Sequence, residues 1–495
     1  MNAHPNIRLP AFSIAAGLLL AILAAPVAAQ YATPVATDSV KTRLILRTFT
    51  DFGHIVSGSN PTANTDVGVN PDISMQPLNR ANFLAIQEVN GGNFDLAAGI
   101  SGLIWWPYGG GVTDASERVM NVKPMVPVAR VRWRFGDPTA TSAALLVGTF
   151  THKYNPDAKN LGEYLYRSGT YPGFLFTTEG WLLMNRASNY SHGALLSVSQ
   201  FGGALRHNLS LFMETNYYPI GDFSPGYDVS YTQKWFELGG GMVLNHYLAL
   251  RPSSLEPKVS DNTYVHLTVD TGTAAQTIDY YGPDTPDRMP VQFLDPSAPG
   301  YSKEILHRWS HKGVKVMGRA ALNLNSLMPA ESRNPEDLRI FGEVAVLGWE
   351  DQPLYYEKRF ERMPIMFGVN LPTLKLLDVL ALQGEYYASP FNNMGAFNSS
   401  SLPIWGSAFK QTDPDVSSTT QFDNRGKILI VDNHDDDWKW SVYAKKTVNK
   451  VMTVYAQAAR DHLRLTDGKY AASSVPLTSK PGEWYYLVRL EFTLR

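Results

Sequence analysis

The sequence predicts an all-β protein, a single closed antiparallel barrel of about 16–18 strands. Three observations predict it. Short runs alternate between apolar and polar residues with a period of two, which in an extended chain puts one kind on each face. These runs recur along nearly the whole chain, separated by segments rich in Gly, Pro, Asp and Ser. The connections between them fall into two length classes, short and long, that take turns along the C-terminal half.

The clearest run closes the chain. Trp484, Tyr486, Val488, Leu490, Phe492 and Leu494 occupy its even positions, while Arg489, Glu491, Thr493 and Arg495 occupy odd ones. Its length matches a tilted strand crossing a bilayer. Other runs repeat the pattern. Val131, Trp133 and Phe135 oppose Arg130, Arg132 and Arg134. Val314, Val316, Ala320, Leu322 and Leu324 oppose Lys315, Arg319 and Asn323. Leu338, Ile340, Val344 and Val346 oppose Arg339 and Glu343, and Trp438, Trp440 and Val442 oppose Lys439, Ser441 and Lys445. A helix with charges at every second position would be ringed by charge, so a helical reading fails.

Eighteen candidate strands follow: 41–50, 80–90, 93–106, 126–135, 142–153, 173–186, 192–202, 206–217, 228–236, 240–250, 261–271, 312–324, 337–348, 361–370, 376–389, 438–447, 450–463 and 484–495. Gly239, Gly240 and Gly241 read either as a turn between two strands or as a flexible point inside one. Val448 and Asn449 make one tight join, and others fall near Gly202 and Pro372. The long connections 272–311, 390–437 and 464–483 all land on one side when counted back from the last strand.

Composition narrows the class. At 495 residues the chain exceeds one ordinary soluble core, whereas a barrel grows by adding strands. A formal net charge of −2 gives no general attraction to nucleic acid, and aromatics at 12% suit interfacial belts. With no cysteine there are no disulfides, thiolate metal sites or cysteine nucleophile. Residues 1–29 have the form of a secretory signal. Arg8 is followed by the apolar run Phe12 to Leu23, then Pro26 and the small residues Val27, Ala28 and Ala29. Residues 30–495 would form the barrel. No later run is long enough for a membrane helix, so a mature chain that spans a membrane does so with strands.

Together the cleavable signal, the alternating strands and the aromatic last strand resemble a Gram-negative outer-membrane β-barrel, with the final aromatic set back at Phe492. Gly148 to Pro156 (GTFTHKYNP) and Gly162 to Arg167 (GEYLYR) are similar to the strand and loop opening of substrate-selective porins. The resemblance implies a passive or substrate-selective channel for small hydrophilic solutes, anions included. It implies outer-membrane lipid and the barrel-insertion machinery as partners, and no cofactor or metal. The alternatives are a non-conducting barrel with a structural, surface-binding or export role, a barrel-embedded hydrolase, and a soluble secreted β-protein such as a lectin-like sandwich.

Polar-face charges are the candidate functional residues: Arg130, Arg132, Arg134, Lys315, Arg319, Arg339, Lys439, Lys445 and Arg489, with Glu343, Glu385 and Glu491. Lining a wet bore, the cations would lower the barrier to anions. Paired with the carboxylates, they would brace the wall. The segment from Tyr154 to Gly173, as a short helical loop, either folds inward, where Lys159, Glu163 and Arg167 would narrow the bore, or stays outside. Asp432 to Asp437 offers oxygen ligands but lacks a calcium-loop spacing and reads as a solvated tip. Trp105, Trp106 and Tyr108, with Trp484 and Tyr485, read as interface residues rather than a sugar platform. Gly109 to Gly111 lacks the Lys-Ser/Thr of a phosphate loop. His54, His152, His192 and His207 are tied to no serine motif, so no catalytic residue is assigned.

Overall fold

The computed structural model describes residues 40–59, 72–105 except 73 and 76, 121–166 except 138, 190–213, 221–248 except 246, 262–265, 280–281, 306–308, 313–349, 359–388, 437–463 except 462, and 478–495 except 479. Its strands are β1 (Lys41–Ser57), β2 (Arg80–Asn90), β3 (Phe94–Trp105), β4 (Asn121–Gly136), β5 (Thr141–Thr151), β6 (Tyr190–Gln200), β7 (Leu205–Met213), β8 (Phe223–Thr232), β9 (Phe236–Asn245), β10 (Asn262–Val265), β11 (Tyr280–Tyr281), β12 (Leu306–Arg308), β13 (Gly313–Asn323), β14 (Arg339–Val346), β15 (Ile365–Asn370), β16 (Val379–Tyr386), β17 (Trp438–Thr447), β18 (Met452–Arg460) and β19 (Trp484–Leu494). Sixteen of them close one antiparallel barrel in chain order, β1 pairing with both β2 and β19. The remaining three, β10 to β12, form a separate small sheet within the connection from β9 to β13.

Sixteen of the eighteen predicted strands correspond to barrel strands. The run 261–271 supplies β10 of the small sheet, and 173–186 lies outside the described residues, as do the segments 1–29 and 106–120. The three glycines Gly239, Gly240 and Gly241 sit inside β9; the break between β8 and β9 comes earlier, where Gln233 N donates to Phe236 O.

Pairing registers and burial agree on two faces. In β19, Tyr485, Leu487, Arg489 and Glu491 are buried, while Tyr486, Phe492 and Leu494 are exposed. In β13, Lys315, Met317, Arg319 and Ala321 are buried and Leu322 is exposed. The exposed, outward face is apolar around the ring, carried by Leu44, Leu46, Phe52, Phe83, Ile100, Trp133, Val147, Leu238, Leu322, Ile340, Phe367, Trp438 and Leu494. Among the described outward positions, Lys and Arg occur as Lys446, next to the end of β17, and Arg460, which ends β18; Asp and Glu do not occur. Aromatic residues gather at both rims. Tyr386, Trp438, Trp440 and Trp484 lie near one, with ring centroids 4.7 Å apart for Tyr386 and Trp438. Phe94, Trp133, Phe135, Tyr231 and Phe236 lie near the other. An apolar wall between aromatic girdles is how a barrel meets lipid.

The two ends differ. At the end holding the start of β1 and the end of β19, connections are short. Asn90 Oδ1 accepts Gly92 N, Asp137 Oδ1 accepts Thr139 N, and Asn449 Oδ1 accepts Val451 N and Met452 N, each closing a side-chain-capped turn. Connections 324–338 and 371–378 are the longer ones there. Every other connection leaves from the opposite end: 58–79, 106–120, 152–189, 214–222, 246–312, 347–364, 387–437 and 461–483.

Candidate functional site

The interior is where the sequence puts its charge, and a chain segment divides it. Residues 152–166, which leave β5 at the long-connection end, turn into the barrel instead of away from it. Tyr154, Asp157, Ala158, Asn160, Leu161, Glu163, Tyr164 and Leu165 are all buried. The segment's one regular element is a 3₁₀ turn, Tyr164–Tyr166. Its apolar side chains join Leu146, Phe150, Leu195, Phe212, Val243, Phe341 and Met366 from the inner wall in one core.

Polar contacts pin the segment along an arc of wall. Glu343 of β14 accepts Tyr154 Oη and Asn155 Nδ2, each at 2.6 Å, and the backbone amides of Glu163 and Tyr164, each at 3.0 Å. Gln383 Oε1 of β16 accepts Asn160 N and Leu161 N, and Glu385 accepts Tyr164 Oη at 2.8 Å. Asn160 Nδ2 donates to Asp461, which also accepts Tyr485 Oη. Tyr166 Oη meets Ser210 Oγ of β7 at 3.0 Å. Lys159 pairs with Glu336, in the connection from β13 to β14 that leaves the barrel at its other end. Burial, with the Glu343 and Glu163 carboxylates close by, holds the Tyr154 phenol well above its ordinary range, so it stays a proton donor.

The wall is shaped to receive it. A Cβ on Gly241 would stand 2.7 Å from Leu165 Cδ1, one on Gly226 would stand 3.2 Å from Tyr166 Oη, and one on Gly162 would stand 2.7 Å from Met366 Cε. Gly226 and Gly241 clear space on the wall for the segment, and Gly162 lets the segment itself close on Met366. Sequence reasoning singled out the segment from Tyr154 onward as a candidate inward loop but gave no role to Tyr154, Asn155, Asp157 or Asn160, and it did not read Gly226 and Gly241 as clearance for it.

The predicted charges fall into two groups. The first is embedded. Arg339 grips Asp157 of the inward segment and donates to Glu237 of β9 at 2.8 Å, and Glu237 also pairs with Arg319 of β13. Arg489 of β19 forms a two-pronged pair with Asp51 of β1 at 2.7 and 2.9 Å, its guanidinium 3.7 Å from the Phe49 ring centroid. This pair spans the seam where first and last strands meet. Lys315, Lys439, Glu385 and Glu491 are also buried on inward rows. Such pairs hold wall to wall and wall to segment.

The second group is wet. Arg130, Arg132 and Arg134 stack along the inward row of β4 with 23%, 31% and 41% of their side-chain surfaces exposed. Their acids are fewer. Arg130 lies 3.8 Å from Glu88, which also serves Arg43 at 3.7 Å, and Asp95 is shared by Arg132 and Arg134. Counted around the ring, β4 is eight strands from β15, midway along the arc that pins the segment. The segment's polar anchors on β14 to β16 therefore lie across the ring from the arginine row, while its root on β5 and its apolar core, which includes Leu146 opposite Arg132, lie beside that row. Arg167 lies outside the described residues, as do Asp432 to Asp436 of the acidic cluster.

Among the histidines, His54, His192 and His207 are on outward positions, bonded to Tyr486 Oη, Thr149 Oγ1 and Tyr227 Oη. His152 is inside, 3.7 Å from Asp228, with edge-on contacts to Tyr166 and Phe212. None of them adjoins a serine in a nucleophile–base arrangement among the described contacts.

No protein-family model matches the chain, and no curated protein matches it. Solved structures similar to it include one from work on the asymmetric conductivity of engineered proteins, 7% identical with a TM-score of 0.39. Two others are mutant forms of the Rhodopseudomonas blastica porin, 8% and 7% identical with TM-scores of 0.38 and 0.37. Each match covers 92% of this chain and 100% of the other. At that distance the matches carry no argument about residues or function.

Proposed function

We propose that this chain is a diffusion channel of the bacterial outer membrane, passing small hydrophilic solutes and favouring anions, with residues 30–495 as the barrel and 1–29 as its export signal. The observation that carries the reading is the part-exposed row of Arg130, Arg132 and Arg134 on the inner wall. An apolar outer wall accounts for lipid; it does not account for guanidinium groups held in water inside the barrel. Three arginines sharing two carboxylates with Arg43 leave an excess of positive charge along one side of the passage. Fixed cations lower the barrier to anions, and guanidinium planes pair well with carboxylate or phosphate. Lys159 and Glu163 belong to the segment that narrows the passage, and the embedded group, Lys315, Arg319, Arg339, Glu343, Lys439, Arg489 and Glu491, sets the shape of the wall around it.

Purified protein reconstituted in a planar bilayer under a potassium chloride gradient tests this. Discrete current steps with a reversal potential of anion-preferring sign are expected. Reversing charge at all three positions (Arg130→Glu, Arg132→Glu, Arg134→Glu) moves the reversal potential towards cation preference. An unmoved reversal potential overturns the selectivity assignment. The second reading, a non-conducting barrel, is favoured by how completely the inward segment and its wall are buried, and it predicts a folded, inserted barrel that never passes current.

A further inference from the structure

The hydrogen bonds around Glu343 have the form of a ligand in a receptor. We propose that the inward segment docks by recognising a carboxylate, that the Glu343 side chain is the resident ligand, and that without it the same site binds a small free monocarboxylate. The proposal rests on the channel reading only for its consequence in conduction, not for the binding itself.

Both carboxylate oxygens are used twice. Oε1 accepts Tyr154 Oη at 2.6 Å and Tyr164 N at 3.0 Å; Oε2 accepts Asn155 Nδ2 at 2.6 Å and Glu163 N at 3.0 Å. All four donors belong to one stretch of eleven residues, and none is a cation. On β13, Arg319 stands opposite Glu343, but its guanidinium pairs with Glu237 instead. Glu343 is satisfied by neutral donors that all arrive with the segment. The backbone is bent to supply two of them. Gly162 has φ +94° and Glu163 has φ +61°, successive left-handed residues that point the amides of Glu163 and Tyr164 the same way. Such a concave pair of amides binds anions. The left-handed Glu163 costs conformational energy that a non-glycine residue accepts only where its surroundings repay it. The Glu163 carboxylate in turn accepts Asn155 N at 3.1 Å, closing the two sides of the site upon each other. Gly162 carries no Cβ, which would stand 3.3 Å from Glu343 Oε2. Glu343 is therefore a positioning residue, acting on the passage through the segment it holds.

Hydrogen exchange of the Glu163 and Tyr164 amides in the folded, reconstituted full chain tests the proposal without reference to current. In the wild type both are protected. In Glu343→Ala both exchange faster by about tenfold or more, since each loses a bond to a charged acceptor. Added formate restores protection in a saturable, concentration-dependent way that chloride at equal ionic strength does not reproduce. In the bilayer, Glu343→Ala alters step size and formate reverses the change. Protection that persists in Glu343→Ala overturns the docking role; loss of protection that formate cannot restore overturns carboxylate recognition. If Glu343→Ala does not fold, Tyr154→Phe and Asn155→Ala each remove one side-chain donor and leave the wall intact. Both must then loosen the same two amides, and unchanged protection in both overturns the proposal. A barrel that never conducts but shows formate-dependent protection refutes the channel and leaves this site standing.

Discussion

Arg489 and Asp51 show what an interior charge does when it is fully enclosed. They belong to the two strands that meet last in the ring, and both are almost completely buried. An ion pair in that position is weak evidence of net stability, but breaking it is expensive, because the survivor keeps its charge without its partner. Arg489→Ala is expected to cost about 3–5 kcal/mol in urea unfolding from lipid vesicles. Asp51→Ala costs a similar amount, and the double substitution costs less than the sum, the coupling giving the pair's own contribution. Additive costs would show that the pair adds nothing to the seam beyond its backbone ladder and packing. That Arg489, Arg319 and Arg339 belong to the polar face was legible from alternation. Their partners were not. Asp51 lies at the far end of the sequence from Arg489, and the pairing Arg339 with Asp157 crosses from wall to inward segment; no local spacing encodes either.

Elements were legible to different degrees. Strands 80–90 and 438–447 were placed to the residue because Asn and Gly close one and Val448–Asn449 closes the other, with clear alternation between. The glycine run at 239–241 was open between a turn and a point inside a strand, since glycine locally signals a break. In β9 it signals proximity instead: Gly239 lies under the Arg319 guanidinium and Gly241 under Leu165. The inward path of 152–166 was one of two open alternatives in the sequence, because what turns it inward is Glu343, Gln383 and Glu385, brought near only by barrel closure. Gly241→Val tests the fit. Its side chain would collide with Leu165 and with the Tyr227 carbonyl oxygen, and overpacking of this kind costs about 1–3 kcal/mol. The variant is expected to insert, to unfold earlier in urea, and to pass larger current steps because the segment is pushed off the wall. Unchanged step size with lowered stability would show that the segment does not bound the passage.

For the whole molecule, everything depends on one division: greasy outside, wet inside. It arises from the two-residue repeat read against a closed ring. A register slip of one residue would turn the inward arginines of β4, β13, β14 and β19 outward and the outward tryptophans of β4 and β17 into the lumen, so the faces are fixed strongly. Closure itself was foreseen from the strand count and from connections of alternating length. The ring's chemistry at each height, arginines on β4 across from the segment's anchors on β14 to β16, needed the registers. The chain has no cysteine, which makes the division directly measurable. Arg132→Cys and Trp133→Cys change neighbouring residues on opposite faces of β4. With each variant reconstituted in vesicles, a charged, water-soluble thiol reagent and a bilayer-embedded quencher report the surroundings of position 132 and position 133. Rapid aqueous labelling and no lipid quenching are expected at 132, and the reverse at 133. Aqueous labelling at both, or lipid quenching at 132, would contradict the division.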